Sequence, residues 1–209
     1  MISQRNAIPT KLTIIGAGGH SKVVIDTLLQ LNYNDFVVCD MNINKIGDKI
    51  LSKKITFLDK KIHTPEFHIT IGNNKIRENI YNIFIENLIF KNIFSPFSNI
   101  SMFSNLSSGI FAAANSIIAA DSTVGKGVII NHGAIVEHDC IVGDFSHIAP
   151  NATLLGAVKL GKRVFIGANA TILPGINIAD DSIIGAGAVV TKDILKPSCT
   201  AVGIPAKTL

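Results

Sequence analysis

Three of the six histidines fall within 16 residues, at His132, His138 and His147, on a scaffold otherwise poor in ionisable side chains. A neutral imidazole titrates in the range where a general base works, and an adjacent carboxylate fixes its tautomer and raises its basicity. His138 is followed by Asp139, and Glu137 is an alternative partner on its other side. The pair therefore predicts a general base, with His138 taking a proton from an attacking group.

The same segment supplies two candidate hydrogen-bond donors. His147 is a candidate donor to a substrate carbonyl, and the backbone N–H of Gly156 is a candidate donor to an oxyanion. The histidines form no His-x-His pair and no i, i+4 pair with a carboxylate or cysteine partner, so a metal site is disfavoured. His132 receives no catalytic role, because a surface or intersubunit packing position explains it as well.

These residues lie in a strict six-residue repeat that begins at Ile100. Fifteen of its sixteen first-position residues, up to Val190, are Ile, Leu or Val. The fifth position is mostly small, and the second is often Gly or Ala, which we expect to ease the corners. A period of six fits neither an α-helix nor a hairpin strand, but it fits a parallel β-helix with three hexads per coil. An ordinary β-sandwich would not keep one phase for so long.

The register separates the two candidate histidines. His138 takes the third position of its hexad and His147 the sixth, so neither fills an inward slot. Because they are half a coil apart, they should lie on opposite sides of one prism, and we expect neighbouring prisms of an oligomer to supply one each. Cys140 takes the small fifth position and should face inward, which disfavours a covalent cysteine route.

The N-terminal part is predicted to form a small α/β lobe. A strand over residues 11–15 leads into the turn GAGGHS at residues 16–21 and a helical pattern, and a second strand at residues 36–39 ends in Asp40. A glycine turn at a helix N-terminus favours phosphate, and Asp40 would accept from a ribose hydroxyl or a base. A strand at residues 68–71, the turn GNN at 72–74 and a helix through Phe84 complete the lobe.

The glycine motif by itself leaves a tight turn without a ligand as an open alternative. Ser21 replaces the third glycine of the dinucleotide fingerprint, and the lobe is short for a full dinucleotide domain. A nicotinamide-dependent oxidoreductase fits worse, because nothing downstream supplies a substrate domain for hydride transfer.

The composition excludes several classes of protein. Of 209 residues, 47% are hydrophobic but only 6% aromatic and 16% charged, which excludes intrinsic disorder. No apolar run approaches the ~18 residues of a spanning helix, and residues 1–11 contain no apolar secretory segment. Much of the +4 net charge comes from lysines spread over residues 45–61, which favours a solvated face over a nucleic-acid surface. Three scattered cysteines favour a reducing cytoplasm.

The motif order resembles the sugar acetyltransferases of the NeuD/PglD family. It runs from GAGGHSKVV at residues 16–24 through IGNN at 71–74 to EHDC at 137–140, and it ends in hexads that close with VGIPAK at 202–207. The resemblance covers nearly the whole chain. It implies a Rossmann-like nucleotide-sugar domain at residues 1–97 and a left-handed β-helix that binds acetyl-CoA at residues 98–209. It also implies a homotrimer with acyl-CoA between adjacent prisms.

The resemblance also implies roles for individual residues. His138 is the general base, Asp139 its partner and His147 a contact to the acetyl group. The residues expected at acetyl-CoA and its oxyanion are Asn131, Gly156, Ala168, Ala186 and Lys207. The residues expected at the nucleotide sugar are Gly16, Gly18, Gly19, His20, Asp40, Gly72 and Asn73. Met41 and Asn42 depart from the bacillosamine-pathway pattern, which has an acidic residue and a lysine after the equivalent of Asp40, so nucleotide recognition should differ in detail.

The expected reaction is metal-free transfer of acetyl from acetyl-CoA to the 4-amino group of a UDP-linked 4-amino-trideoxy sugar, as in UDP-N-acetylbacillosamine synthesis. Alternatives are O-acetylation of a sialic acid and N-acetylation of a GDP- or dTDP-linked amino sugar. A non-enzymatic trimeric binding module is an alternative of a different class, and the His138–Asp139 pair argues against it.

Overall fold

The structure is a computed structural model that describes residues 12–58, 62, 64–85 and 88–209. Lys11, where the first predicted strand begins, and residues 59–61 of the lysine-rich segment lie outside the described residues. The N-terminal lobe contains a six-stranded sheet, two α-helices and one 3-10 helix. Its elements are β1 (Leu12–Ile15), α1 (Gly19–Gln30), β2 (Phe36–Asp40), the 3-10 helix (Ile43–Lys45), β3 (Lys49–Ile50), β4 (Lys53–Phe57), β5 (Glu66–Ile69), α2 (Asn74–Phe84) and β6 (Ile89–Phe90).

The sheet order, β3-β4-β2-β1-β5-β6, places β1 between its parallel neighbours β2 and β5. The chain leaves β1 through α1 towards β2 on one side, and it returns to pair β5 on the other side. This reversal brings the loops after β1 and β5 together at the carboxyl edge of the sheet. Open α/β sheets bind ligands at such an edge.

The β3–β4 hairpin is an element that the sequence did not predict. Its residues were interpreted as a solvated lysine face, but β4 pairs in parallel with β2 next to the edge of the sheet. The only buried residue of β4 is Ile55. This strand therefore lacks the alternation of apolar and polar residues by which a strand is recognised from sequence. The predicted strand at 68–71 is shifted, and β5 covers Glu66–Ile69.

The rest of the chain is a parallel β-helix of very short strands. In chain order they are β7 (Ile93–Phe94), β8 (Asn99–Ile100), β9 (Asn105–Leu106), β10 (Phe111–Ala112), β11 (Ile117–Ile118), β12 (Thr123–Val124), β13 (Ile129–Ile130), β14 (Ile135–Val136), β15 (Ile141–Val142), β16 (His147–Ile148), β17 (Thr153–Leu154), β18 (Lys159–Leu160), β19 (Phe165–Ile166), β20 (Thr171–Ile172), β21 (Asn177–Ile178), β22 (Ile183–Ile184), β23 (Val189–Val190), β24 (Thr200–Val202) and β25 (Lys207–Thr208).

Every third strand stacks in register, which builds three faces. Face 1 contains β7, β10, β13, β16, β19, β22 and β24; face 2 runs from β8 to β23 and face 3 from β9 to β21. The first-position aliphatics form the interior, as the repeat predicts, and the small fifth-position residues, Cys140 among them, are also buried. β7 precedes the expected domain division at residue 97 and already pairs with β10.

The corners show why the expected role of the second-position glycines was wrong. The left-handed backbone recurs instead at the fourth position of every hexad from Gly109 to Gly187, with φ between +57° and +73°. The second-position glycines allow adjacent coils to approach: a Cβ on Gly143 would lie 2.4 Å from the backbone carbon of Gly161. Their smallness therefore serves the stacking of coils and not the turn itself.

The lobe packs on face 1 of the β-helix. Outward side chains of its lower strands, Ile93, Phe111 and Ile129, are buried in one cluster with Leu12 and Ile25 of the lobe. The next residue along this line, on β16, is His147. None of the helices in the described ranges is long and apolar enough to cross a bilayer.

Candidate active site

The corner between faces 2 and 3 carries His138 and Asp139, just after β14. The His138 Nδ1 lies 2.7 Å from an Asp139 carboxylate oxygen, and both side chains are more than half exposed. Asp139 is the left-handed corner residue, with φ +62°, so the turn itself holds its carboxylate beside the imidazole. The hydrogen bond to Asp139 raises the pKa of His138 above its ordinary value, with a further contribution from the charge of Glu137.

Gly156 lies one coil further along the same corner, directly against the imidazole. A Cβ at Gly156 would be 2.6 Å from His138 Cε1 and 2.8 Å from Nε2, so any larger residue would displace the ring from this position. No acceptor in the described part of the chain takes the Gly156 N–H. One corner therefore combines a carboxylate-paired imidazole with a free backbone donor beside it.

His147 lies on face 1, buried beneath the lobe. Its Nε2 is 3.2 Å from the Asn131 amide nitrogen and its Nδ1 is 3.4 Å from the Gly72 carbonyl. The side-chain oxygen Oδ1 of Asn131 accepts from the backbone N–H of His132, and this turns the Asn131 side-chain nitrogen towards the imidazole. His147 Nε2 is then an acceptor and Nδ1–H the donor, so donation to a thioester carbonyl would need Asn131 to turn away or the other tautomer.

The other expected acetyl-CoA residues occupy a different corner from His138. Asn131, Ala168 and Ala186 follow strands of face 1, at the corner between faces 1 and 2, and the Gly187 N–H donates to the Ala168 carbonyl in the coil below at 2.8 Å. Lys207 is exposed on β25, which pairs antiparallel with β24. Within one chain, these residues are therefore separated from the His138–Asp139 pair by face 2.

Cys140 faces the interior of the prism, as the register predicts. Its thiol donates to the Leu155 carbonyl at 3.2 Å, and burial raises its pKa to about 11. A thiolate nucleophile at this position is therefore disfavoured.

The glycine turn after β1 sits at the carboxyl edge of the lobe sheet. Gly16 has φ +108°, and a Cβ there would be 2.8 Å from Ile71. Gly18 caps α1 without a side-chain hydrogen bond, and a Cβ on Gly18 or Gly19 would meet open space. The first N–H groups of α1 are thus accessible to an anion.

Ser21 explains the departure from the glycine fingerprint. Its hydroxyl is buried, donates to the Gly16 carbonyl and lies 2.7 Å from the Thr70 hydroxyl. Thr70 in turn donates to Gly16 at 2.8 Å. Hydroxyls from α1 and from the loop after β5 therefore fix the turn that a third glycine would otherwise allow.

Asp40 holds the same turn from its other side. One carboxylate oxygen accepts from the Ala17 N–H and from the Lys45 ammonium at 2.8 and 2.9 Å, and the other accepts from the Asn42 N–H at 2.8 Å. Although burial opposes it, these hydrogen bonds together lower the pKa of Asp40. A ribose hydroxyl would share oxygens that already have partners. Asn73 is similarly engaged, because its side chain caps α2 by accepting from the Ile76 N–H.

His20, His68 and His147 cluster where the lobe meets face 1, and we call them the interface histidines. His20 packs edge-on to Phe111 at 5.2 Å between ring centroids and lies 6.3 Å from the His147 ring. Its buried Nε2 has no hydrogen-bond partner among the described residues. Burial lowers the pKa of His20 to about 3 and those of His68 and His147 to about 4, and the charge of Arg77 adds to each shift. All three imidazoles are neutral at pH 7.

A cavity of about 420 Å³ opens where the lobe leaves face 1 uncovered. The start of α2 forms one wall, and the outer residues of β19 and β22 form another. Its lining residues are Gly72, Asn73, Asn74, Lys75, Arg163, Phe165, Asp181 and Ile183. Phe165 packs edge-on to His147 at 5.2 Å, so the cavity adjoins the interface histidines. In the described ranges, no three His, Cys, Asp or Glu side chains come together as metal ligands.

Gly156 was expected only at acetyl-CoA and its oxyanion, and Arg77 had no expected role, so two features of the site were missed from the sequence. The space that Gly156 leaves for His138 requires the coil stacking, although the 18-residue spacing of the two residues was a usable signal. Arg77 is fully buried between α2 and the β-helix, and its position in an amphipathic helix gives no hint of that burial.

The fold and the site together define a transferase of the hexapeptide-repeat class with an α/β lobe. The sequence matches the PglD N-terminal domain over residues 11–84, the bacterial transferase hexapeptide over 121–156 and the hexapeptide repeat of succinyl-transferase over 157–192. The β-helix is thus of the left-handed type, as expected. The chain belongs to the NeuD/PglD family of sugar acetyltransferases.

Solved structures of similar proteins cover almost the whole chain. PerB from Caulobacter crescentus, in complex with CoA and GDP-perosamine, is 32% identical over 95% of this chain and 97% of its own, with a TM-score of 0.86. The acetyltransferase domain of PglB from Neisseria gonorrhoeae is 31% identical over 96% of this chain and 100% of its own, also with a TM-score of 0.86. A second structure of that domain contains acetyl coenzyme A.

Proposed function

We propose that this protein transfers the acetyl group of acetyl-CoA to the 4-amino group of a nucleotide-linked amino sugar, with His138 as general base. The observation that carries the proposal is the corner at which His138 is paired with Asp139 at 2.7 Å and lies against Gly156. The relatives solved with CoA, acetyl coenzyme A and GDP-perosamine support the choice of cosubstrates.

The corner provides the groups that direct acyl transfer needs. The amine attacks the thioester carbon while His138 Nε2 takes its proton, and Asp139 stabilises the imidazolium through Nδ1. The carbonyl oxygen gains negative charge in the tetrahedral intermediate, and the free Gly156 N–H donates to it. Collapse forms the amide and breaks the carbon–sulfur bond, and the CoA thiolate leaves and takes up a proton.

The nucleotide is proposed to bind at the carboxyl edge of the lobe sheet. The N–H groups at the start of α1, from Gly18 onwards, would take the phosphates. His20 and Gly72 border the same edge, and Gly72 also lines the cavity beside face 1. The acceptor sugar would then extend from the edge towards this cavity.

We further propose a homotrimer with shared sites, because the lobe edge and His138 lie on opposite sides of one prism. In a closed ring, the His138 corner of one chain can meet the Asn131–Ala168 corner and face 1 of the next. Mixing His138→Ala with His147→Ala chains, refolded together, should restore about a quarter of wild-type activity, since one site in four receives both intact residues. Sites formed within a single chain would show no recovery.

The experiment that tests the function is acetyl-CoA consumption with a panel of acceptors. We expect turnover with a UDP-linked 4-amino-trideoxy sugar, and the GDP-perosamine complex of PerB makes a GDP-linked amino sugar the second candidate. dTDP-linked amino sugars and free sialic acid complete the panel. His138→Ala should lower kcat by about 10²-fold or more. Unchanged turnover in that variant would refute His138 as the general base, whereas no turnover of the wild-type protein with any acceptor would favour a binding module. A cytoplasmic location would follow from the use of acetyl-CoA.

A further inference from the structure

Arg77 on α2 is a buried cation without a carboxylate partner. The residue is 1% exposed, and no Asp or Glu in the described part of the chain forms an ion pair with it. An isolated buried charge is costly unless its hydrogen bonds are satisfied. Burial lowers the pKa of Arg77 to about 9, which still leaves it charged at pH 7.

All five guanidinium N–H donors have acceptors, and those acceptors belong to two separate parts of the fold. From the lobe, the carbonyls of Ile71 and Gly72 accept from Nη1 at 2.8 and 3.1 Å, and the Asn74 side chain accepts from Nη2 at 2.9 Å. From the β-helix, the Gly127 carbonyl accepts from Nε at 2.7 Å, and the Phe145 carbonyl accepts from Nη2 at 2.6 Å. A planar fork of this kind fixes the two parts relative to each other.

The β-helix end of this clamp leads directly to His147. Nη2 also lies 3.2 Å from the carbonyl of Ser146, the residue before His147. The lobe end leads there too, because the Gly72 carbonyl held by Arg77 is the group that faces His147 Nδ1. The Arg77 side chain therefore holds in place both the Gly72 carbonyl, which selects the tautomer of His147, and the backbone that leads into the strand of His147.

We propose that Arg77 is a positioning residue for nucleotide-sugar binding, which holds the loop of Gly72 and Asn73 and the Nδ1–H tautomer of His147 in place against the β-helix. The inference rests on the proposed function for its substrate, but its structural part does not need a substrate. A lysine would keep the charge, yet its compact ammonium cannot span acceptors on both parts of the fold.

The test compares Arg77→Lys with Glu78→Gln as a matched control. Glu78 is on the same helix and forms an ion pair with Arg163 of the β-helix at 3.1 Å, but it touches neither Gly72 nor His147. We expect Arg77→Lys to raise KM for the nucleotide sugar about tenfold while KM for acetyl-CoA changes less than twofold. Glu78→Gln should change neither KM, because Asp181 still holds Arg163 at the cavity wall, at 2.9 and 2.8 Å. An equal rise in both variants would mean general loosening of the lobe and would overturn the proposal.

A substrate-free measurement separates this inference from the proposed function. Imidazole nitrogen-15 NMR of the wild-type protein should show His147 as the Nδ1–H tautomer at pH 7, and Arg77→Lys should yield a mixture of tautomers. Wild-type His147 in the Nε2–H form would overturn the inference even if Arg77→Lys fails to fold. If no nucleotide sugar is acetylated but the tautomer changes as expected, the proposed function fails, and the role of Arg77 in positioning Gly72 and His147 stands.

Discussion

Gly156→Ala should displace the imidazole of the general base, His138, and leave the other groups of the site in place. The added Cβ would lie 2.6 Å from His138 Cε1, whereas carbon atoms pack at about 3.5–4.0 Å, so the ring must retreat by about 1 Å. A displacement of that size at a reacting group can cost about 10²-fold in rate. The Gly156 N–H is retained, so loss of the oxyanion donor would not explain the effect. We therefore expect kcat to fall by about 10²-fold with little change in KM for the nucleotide sugar.

The fold should tolerate this substitution. Gly156 does not have the left-handed backbone that alanine avoids, and the ring it displaces is exposed, so the free energy of unfolding should change by less than about 1 kcal/mol. Steady-state kinetics and urea unfolding test both statements. As a control, Gly156→Ala added to His138→Ala should lower the residual rate no further, because the ring is already absent. A single variant with kcat within twofold of wild type would refute the assigned position of the base.

The remaining predictions concern charges. Asp139→Asn removes the carboxylate that raises the pKa of His138, so the acidic limb of the kcat/KM–pH profile should move to lower pH while kcat falls. The control is Asp121→Asn, one coil below, which should leave both the pH profile and kcat unchanged. Asp40→Ala removes three hydrogen bonds at the glycine turn, so it should raise KM for the nucleotide sugar and lower the free energy of unfolding by about 2 kcal/mol. Urea unfolding measures the second effect, with Asp26→Ala on the outer face of α1 as the control. The folded-state pKa values of the interface histidines lie below the ordinary value of 6.5, so below that pH the unfolded chain binds more protons than the folded chain. Stability should therefore drop by about 2 kcal/mol for each histidine between about pH 7 and 5. His68→Gln should reduce the drop in urea midpoint, and a wild-type midpoint equal at pH 7 and pH 5 would contradict these assignments.

The β-helix was predictable because its signal is local and repeated. Each coil places a residue directly over the one 18 positions earlier, so the interior of the β-helix shows up in the sequence as an aliphatic residue at every sixth position. The lobe lacks such redundancy. β4 contains one buried residue, and it is a strand because β2 offers it a hydrogen-bonding edge, which no local pattern records. Propensity yields to tertiary pairing in such a segment.

The His138–Asp139 pair was visible for the same local reason, since neighbouring residues at a tight corner must be close. The burial of His147 was not visible, because it depends on which face of the prism the lobe covers. The register correctly assigned His147 to an outward slot, but the lobe converts that slot into an interface. Burial lowers the pKa of His147, and the lobe residues that add to its environment, Gly72 and Arg77, lie 75 and 70 positions away along the chain.

The left-handed corners offer a structural reason for Asp139, so its presence alone does not show a catalytic role. Eleven of the fourteen left-handed corner residues are Gly, Asn or Asp, the types that adopt this backbone most readily, so a corner aspartate needs no catalytic explanation. Two of the three exceptions, Phe145 and Arg163, offset the backbone strain by contacts with the lobe, through the Tyr81 ring and the Glu78 carboxylate. Asn fits the corner as well as Asp does. Asp139→Asn therefore preserves the turn and removes only the charge, so its effect, measured against Asp121→Asn, reports catalysis and not folding.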